Sequence, residues 1–314
     1  MTEQRHHNRN PKKVMAQEQK KTSKNTNSRR RGSARGRNAN GSNSRTPSRK
    51  INATRQATAP QQDAVLIAPP KYRKGSMRIT PLGGLGEIGR NMNVIEYNGH
   101  LLLIDCGVLF PEEEQPGVDL ILPDFSYIKN RLDKVDALVL THGHEDHTGS
   151  LPYLLQDLNN KVPIFSSKLT LGFIEGKLSE FRIRAPKFRE VKGGSHVNLG
   201  GISLDFFSMT HSIPGALGVF IRTNQGTVMH TGDFKLDQTP IDGVTPDYAA
   251  ISRFAKQGID LLLSDSTNAT VPGFTKSEAE VGPNLLHAIK NAPGRVFVVL
   301  EPHSSPAADL RCRP

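Results

Sequence analysis

The chain has few of the residues that mark several common classes of protein. Its 314 residues include two cysteines, Cys106 and Cys312, and no tryptophan. Two thiols this far apart provide no disulfide framework, which favours a reduced, cytoplasmic protein. No run of 18 apolar residues and no secretory signal pattern is present, so we expect no association with a membrane.

Acidic and aromatic residues are scarce in the first 74 positions. This segment holds 19 Lys and Arg residues against 3 Asp and Glu residues, and its first aromatic residue is Tyr72. Its net charge is +16, whereas the remainder of the chain has a net charge of −5. A segment rich in Asn, Ser, Arg and Gly buries too little apolar surface to offset the entropy of ordering. We therefore expect residues 1–74 to form a disordered basic tail.

An arginine cluster in this tail suggests contact with RNA. Flexible guanidinium groups can neutralise phosphates without a fixed fold. A solubilising or targeting extension is the alternative, because transit peptides are also rich in Arg and Ser and poor in acid. The segment lacks the amphipathic spacing of such peptides, which favours nucleic acid. The residues expected to bind RNA are Arg29, Arg30, Arg31, Arg35 and Arg37.

The most informative segment of the chain is THGHEDHTGS, residues 141–150. It places His142, His144, Asp146 and His147 within six positions, and such a group would be costly to bury without a cation. The apolar run 137–140 precedes it and an apolar helical pattern starts at Leu151. The spacing therefore predicts ligands at the carboxyl end of a buried strand, where α/β sheets often place their chemistry.

The spacing within this segment suits two metal ions. In an extended segment, side chains two residues apart point the same way, so His142 and His144 can hold one ion. Asp146 and His147 are then available to a second ion. Nitrogen and carboxylate ligands without thiolate suit zinc, with manganese or iron as alternatives. A histidine-rich polar loop without metal is the competing interpretation, and the strand–loop–helix context disfavours it.

Two further residues follow predicted strands and extend this partial site. His211 follows the alternating stretch 202–207, and Asp233 follows the strand 227–230. Taken alone, the first would be a structural histidine and the second a turn residue. Because the partial site needs more ligands, we expect both to bind metal, with Asp233 bridging two ions. His230 is left out, because on an alternating strand it would point away from the metal side.

Strand patterns dominate the folded part, with helical patterns between them. This mixture predicts two sheets between layers of helices rather than a regular βαβ repeat. The glycines of 83–89 are expected to form a tight turn and not a dinucleotide site, because no helical pattern follows them. Strands are predicted over 77–82, 94–97, 100–105, 134–141, 162–165, 202–207, 218–221, 227–230 and 260–263, and a helix over 169–177.

Together these residues resemble the metallo-β-lactamase superfamily and, within it, the ribonuclease J family of the β-CASP branch. His142–His147 match the second superfamily motif, and Asp105, His211 and Asp233 match the first, third and fourth. The stretches LGGLGEIGRNM (82–92), THSIP (210–214) and LSDSTN (263–268) are more specific to the family. The resemblance implies an α/β fold, an incomplete αββα sandwich with the start of an inserted β-CASP domain.

The resemblance also implies a ligand set and a reaction. His142, His144 and His211 would hold one zinc ion, Asp146 and His147 a second, and Asp233 would bridge them. Asp105 would support the metal loop without binding metal. The catalytic residues would be Asp146 and Asp265, the latter close to the scissile phosphate and active in proton transfer; a turn-capping role for Asp265 is the alternative.

The implied reaction is hydrolysis of RNA phosphodiesters, both 5′-to-3′ exonucleolytic and endonucleolytic, in RNA maturation and decay including rRNA processing. Two other functions are compatible with the sequence. One is a dinuclear hydrolase of the same fold that acts on a thioester, lactone or β-lactam. The other is a catalytically dead RNA-binding fragment, since family members are longer and a truncated chain would lack a metal ligand. The resemblance also implies a homodimer or tetramer for the full-length protein.

The expected domain boundaries follow the same resemblance. Residues 75–260 would be the amino-terminal part of the metallo-β-lactamase domain, and 261–314 the truncated start of the β-CASP domain. A histidine ligand of the second ion lies in a later segment of the family, so we expect that site to lack one ligand here. The last 15 or so residues depart from the family pattern, which suggests a reading-frame shift just before Leu300.

Overall fold

The computed structural model describes residues 71–112, 115–158, 162–184 and 186–297. Almost all of the expected basic tail, including its arginine cluster, lies outside the described residues. The segment expected to be frame-shifted, 300–314, lies outside them as well. The fold below is therefore that of the remaining part of the chain, which contains every predicted metal ligand.

The first sheet has six strands in the order β1-β2-β3-β4-β5-β6. β1 to β3 are antiparallel and β3 to β6 are parallel. The dipeptide Asn98-Gly99 predicts a hairpin turn, and the turn is found between β2 and β3, where both residues have positive φ, 51° and 83°. The strands are Met77–Gly83, Met92–Tyr97, His100–Ile104, Val135–Val139, Ile164–Ser166 and Phe188–Glu190.

The second sheet has five strands in the order β11-β10-β9-β8-β7. Its strands are antiparallel except β11, which runs parallel to β10. β6 and β7 were not predicted, because these short segments contain charged or polar residues and no apolar run, unlike the equally short β5 and β11. The strands β7 to β11 are His196–Leu199, Ile202–Ser208, Leu217–Thr223, Gly226–His230 and Leu261–Leu263.

Six helices of the described residues connect these strands. The predicted helix over 169–177 is confirmed as α4, and α5 begins where the Asp247 carboxylate accepts a hydrogen bond from the Ala250 N–H over 2.8 Å. None of the described helices is both long enough and apolar enough to span a membrane. Helices α1 to α6 are Ser126–Lys129, Glu145–Thr148, Leu151–Leu158, Lys168–Glu180, Tyr248–Gln257 and Val281–Lys290.

Alternation along the strands places the core on both faces of the first sheet. Leu101 and Leu103 of β3 point into a cluster shared with α3 and α4. Their neighbours Leu102 and Ile104 point into a second cluster with β8 and β9 of the other sheet. On the far side of the second sheet, Phe220 stacks on Phe254 of α5, with ring centroids 4.5 Å apart. The order helix–sheet–sheet–helix confirms the predicted αββα sandwich.

Candidate metal centre

The segment Thr141–His147, here called the metal loop, leaves the carboxyl end of β4 and is held by backbone hydrogen bonds from neighbouring segments. The N–H groups of Asn91 and Cys106 donate to the carbonyls of Asp146 and His147 over 3.0 and 2.8 Å. Gly107 packs directly against the loop, since a Cβ there would lie 1.5 Å from the Asp146 carbonyl oxygen. The loop geometry is thus imposed by tertiary contacts.

Three histidines converge at one end of this loop. The ligand-capable atoms of His142, His144 and His211 lie within 4.8 Å of one another, and His211 Nε2 is 3.2 Å from His144 Nδ1. His142 is fully buried, and its Nε2 lacks a hydrogen-bond partner among the described residues. A buried, unpaired imidazole nitrogen beside two other imidazoles is the arrangement that a cation would complete.

A second group lies beside the first. His142, His147 and Asp233 also have ligand-capable atoms within 4.8 Å of one another. His147 Nε2 is 3.2 Å from Asp233 Oδ1 and 3.5 Å from Asp146 Oδ2. The other oxygen of Asp233 is 3.8 Å from His211 Nε2. The two carboxylate oxygens of Asp233 therefore face different histidines, which is the placement required of a bridging ligand.

Asp105 lies beneath this second group and is fully buried. Its Oδ1 accepts a hydrogen bond from the Thr141 N–H over 2.8 Å, and its Oδ2 accepts one from the Thr141 hydroxyl over 3.0 Å. Oδ2 also lies 2.8 Å from Nδ1 of His147. A carboxylate at Nδ1 fixes the proton there and turns Nε2 toward the centre, as is common behind histidine ligands.

The electrostatics of the two groups differ. Burial and the nearby histidines lower the pKa of His142 well below its usual value, and burial lowers the pKa of His211 to about 4. Burial also acts against protonation of His147, but the charge and hydrogen bond of Asp105 raise its pKa well above the usual value. For the protein chain alone, burial therefore favours the neutral form of His142 and His211, whereas Asp105 favours the charged form of His147.

The carboxylates of the centre stay ionised. Burial acts to raise the pKa of Asp146 and of Asp233, but hydrogen bonds and charge interactions with His147 lower both below the usual value. The site thus combines neutral imidazoles, whose lone pairs are available, with ionised carboxylates. This donor set, without thiolate, fits divalent zinc or manganese.

Asp265 lies next to the centre, just beyond β11. Its Oδ1 accepts hydrogen bonds from the N–H and hydroxyl of Thr267, each over 2.8 Å. Its Oδ2 is 3.4 Å from the N–H of Phe234, the residue after Asp233. The carboxylate therefore caps its own turn with one oxygen and presents the other toward the metal-centre side. Both interpretations offered by the sequence remain compatible with this position.

A groove runs past the metal centre. The glycine-rich loop 83–89 forms one wall and residues 262–267 form another, with Asp146 and Asp233 between them. Sequence reasoning assigned no site role to Asn91 and Asn93, whose amides also line the groove. No spacing pattern indicated them, because each depends on which strands become neighbours.

His230 lies in this groove wall but has other partners. Its Nδ1 accepts a hydrogen bond from the Gly232 N–H over 3.0 Å, and its Nε2 is 3.4 Å from Asn93 Nδ2. It belongs to neither ligand group found among the described residues. Its omission from the ligand set stays a prediction, and its place in the groove lining differs from the outward direction that strand alternation suggested.

Comparison with known proteins assigns the chain to a class. The family model described as metallo-beta-lactamase superfamily matches residues 85–273, which include the metal loop and most of both walls of the groove. The chain belongs to the metallo-beta-lactamase superfamily.

Within that superfamily, its relatives are ribonucleases J, as the sequence motifs predicted. The chain is 53% identical over 233 residues to "Ribonuclease J" of Corynebacterium glutamicum, covering 74% of this chain and 32% of that protein. It is 50% identical over 235 residues to "Ribonuclease J" of Mycolicibacterium smegmatis, covering 75% and 42% respectively. It is 48% identical over 228 residues to "Ribonuclease J" of Thermus thermophilus, covering 71% of this chain and 40% of that protein. The matched region therefore spans well under half the length of these relatives.

Proposed function

We propose that the chain belongs to a zinc-dependent ribonuclease that hydrolyses RNA phosphodiesters, as a 5′-to-3′ exonuclease and an endonuclease. The main supporting observation is that His142, His144, His211, His147 and Asp233 converge in two groups beside an open groove. The ribonuclease J relatives point to RNA as the substrate. The cellular role we propose is cytoplasmic RNA maturation and decay, including rRNA processing.

Each of the two ligand groups would hold one metal ion. His142, His144 and His211 would hold one ion, Asp146 and His147 the other, and Asp233 would lie between them. When bound, a pair of divalent ions lowers the pKa of a water molecule and stabilises charge on a phosphoryl oxygen. The contribution of the chain is to keep His142 and His211 neutral by burial and to hold His147 in place through Asp105.

Asp265 is the proposed proton-transfer group. It lines the same groove as Asp146 and Asp233, and its Oδ1 is fixed by the backbone and hydroxyl of Thr267. That turn orients the carboxylate, so Oδ2 is the oxygen available to exchange a proton with a group bound in the groove. Geometry of this kind is the first requirement for general acid–base catalysis.

The groove also bears on how RNA would be held. Along its described lining, it contains glycine backbone, amide, hydroxyl and carboxylate groups but no lysine or arginine. Neutralising the phosphates of a bound strand therefore falls to the metal centre and to basic residues outside the groove. We propose that the arginine cluster at 29–37 serves this second purpose.

Hydrolysis of 5′-monophosphorylated RNA by the purified, zinc- or manganese-loaded chain tests the proposal. We expect release of nucleotides or short fragments, no turnover of β-lactam or thioester substrates, and loss of activity when Asp233→Ala removes the bridging carboxylate. Preferred cleavage of a small ester would indicate the other dinuclear hydrolase. Binding of RNA without cleavage at any metal concentration would indicate the RNA-binding fragment.

A further inference from the structure

Asn91 has a polar side chain beside the second ligand group that the proposed mechanism does not use. It immediately precedes β2 and is tied to the metal loop by its backbone, since its N–H donates to the Asp146 carbonyl over 3.0 Å. Its carbonyl accepts from the Gly107 N–H, also over 3.0 Å. Both backbone groups of Asn91 are thus engaged with segments that shape the centre.

The side chain of Asn91 is confined between the groove loop and the metal loop. A Cβ on Gly84 would lie 2.3 Å from Asn91 Oδ1, so only glycine, with its φ of +81°, leaves room for the amide. On the other side, Asn91 Nδ2 is 3.2 Å from the carbonyl oxygen of Asp146 and 3.4 Å from its Oδ2. The same nitrogen is 3.1 Å from Nε2 of His147.

The chemistry of these neighbours decides which way the amide points. The carbonyl and carboxylate oxygens of Asp146 can only accept hydrogen bonds at neutral pH, so the NH₂ group of Asn91 faces them. The two hydrogens of this NH₂ group match two acceptors of Asp146, its backbone carbonyl oxygen and its Oδ2. Asn91 thereby links the backbone of Asp146 to the end of its own side chain, which restricts rotation of that carboxylate.

We infer that Asn91 is a positioning residue for the second ion, which it aligns by orienting the Asp146 carboxylate beside Nε2 of His147. This inference rests on the proposed function, because it assigns a role at the same dinuclear centre. Asn91 acts on Asp146 as Asp105 acts on His147, so each ligand of this pair has its own hydrogen-bonding partner. Partners of this kind commonly change metal affinity by about 10- to 100-fold.

The matched control, Asn93, lies two residues further along the chain, in β2. Asn93 also lines the groove, and its Nδ2 lies 3.4 Å from Nε2 of His230, which belongs to neither ligand group of the described residues. A substitution at Asn93 therefore changes a groove amide of the same type without touching Asp146.

Stepwise titration of the metal-free chain with zinc, followed by calorimetry, tests the inference. Asn91→Leu, which keeps the approximate side-chain volume, should weaken the second binding step by about tenfold or more and leave the first unchanged. Asn93→Leu should leave both steps unchanged.

The outcomes separate the inference from its alternatives. An unchanged second step in Asn91→Leu, or uptake of only one ion by the unmodified chain, would overturn the positioning role. A chain that binds no ion would instead refute the proposed function itself. Equal weakening of both steps would indicate a general loss of structure and would also count against the inference.

Discussion

Nδ1 of His147 lies 2.8 Å from Oδ2 of Asp105, and both side chains are almost fully buried. Asp105 adopts a positive φ of 61°, which is uncommon for a residue with a side chain. The strained conformation places one carboxylate where it can bind both Thr141 and His147. The pair therefore couples the end of β3 to the metal loop.

Replacing this carboxylate should weaken metal binding without removing a ligand. In Asp105→Asn, one oxygen becomes an NH₂ group that faces the N–H and O–H donors of Thr141 or the Nδ1–H of His147. We expect zinc affinity at the second site to fall by about 10- to 100-fold, measured by calorimetric titration. Unchanged affinity would mean that the orientation of His147 does not depend on Asp105.

The two ion-binding steps should differ in their release of protons. His142 and His211 have lowered pKa values and are neutral at pH 7, whereas the pKa of His147 is raised well above its usual value. An ion at the second site must displace the proton of His147. The affinity of this site for metal should therefore rise with pH until the pKa of His147 is reached. Calorimetry at pH 7 in buffers of different ionisation enthalpy should show release of about one proton in that step. Equal buffer dependence of the two steps would contradict this.

Gly107 should tolerate no side chain. Gly107→Ala would place a Cβ 1.5 Å from the backbone oxygen of Asp146, which cannot move without displacing the metal loop. We expect a loss of several kcal/mol, in the range of severe overpacking, or failure to fold. The matched control is Gly172→Ala in α4, where a Cβ meets nothing within 4 Å. That change should stabilise the helix by about 0.5–1 kcal/mol in chemical denaturation.

Asp237 should contribute stability that disappears in acid. Burial acts to raise its pKa, but hydrogen bonds from the backbone of Thr239 and Glu278 and the hydroxyl of Ser277 lower it below the usual value. A lowered folded-state pKa means that the contribution is present above the unfolded value of about 3.9 and is lost as pH falls through the folded pKa.

Asp237→Asn should therefore reduce the free energy of unfolding by about 1–3 kcal/mol at pH 7, and the difference from the unmodified chain should shrink below about pH 4. Urea denaturation at several pH values measures it. Asp133→Asn, at a residue whose side chain is 70% exposed, is the control and should have little effect at any pH. A difference for Asp237→Asn that stayed constant down to pH 3 would be inconsistent with the lowered pKa.

Much of the architecture could be predicted because its signals are local. The Asn98–Gly99 turn, the alternation of β8 and the apolar run of β4 each depend on a few adjacent residues. β6 and β7 escaped prediction because such short strands exist only through pairing with a neighbour. α5 was missed as well; its capping residue, Asp247, belongs to a loop held by a backbone bond to Ser208 of the second sheet.

The sequence by itself determined which side chains could bind metal. Four of them, His142, His144, Asp146 and His147, lie within six consecutive positions. Their spacing therefore predicts a metal site without any knowledge of the fold. The need for further ligands pointed to His211 and Asp233, and the resemblance to a known family supplied the class and pointed to Asp105.

Only the tertiary structure decided how these residues meet. His144 and His211 are separated by 67 positions, and Asp105 and His147 by 42, yet each pair lies within about 3 Å. Asn91 lies 55 positions before Asp146, and no periodic pattern in the sequence predicts its supporting role. Local spacing follows from backbone geometry, whereas contacts across the sandwich arise only when the two sheets bury their apolar faces together and bring distant loops to one edge.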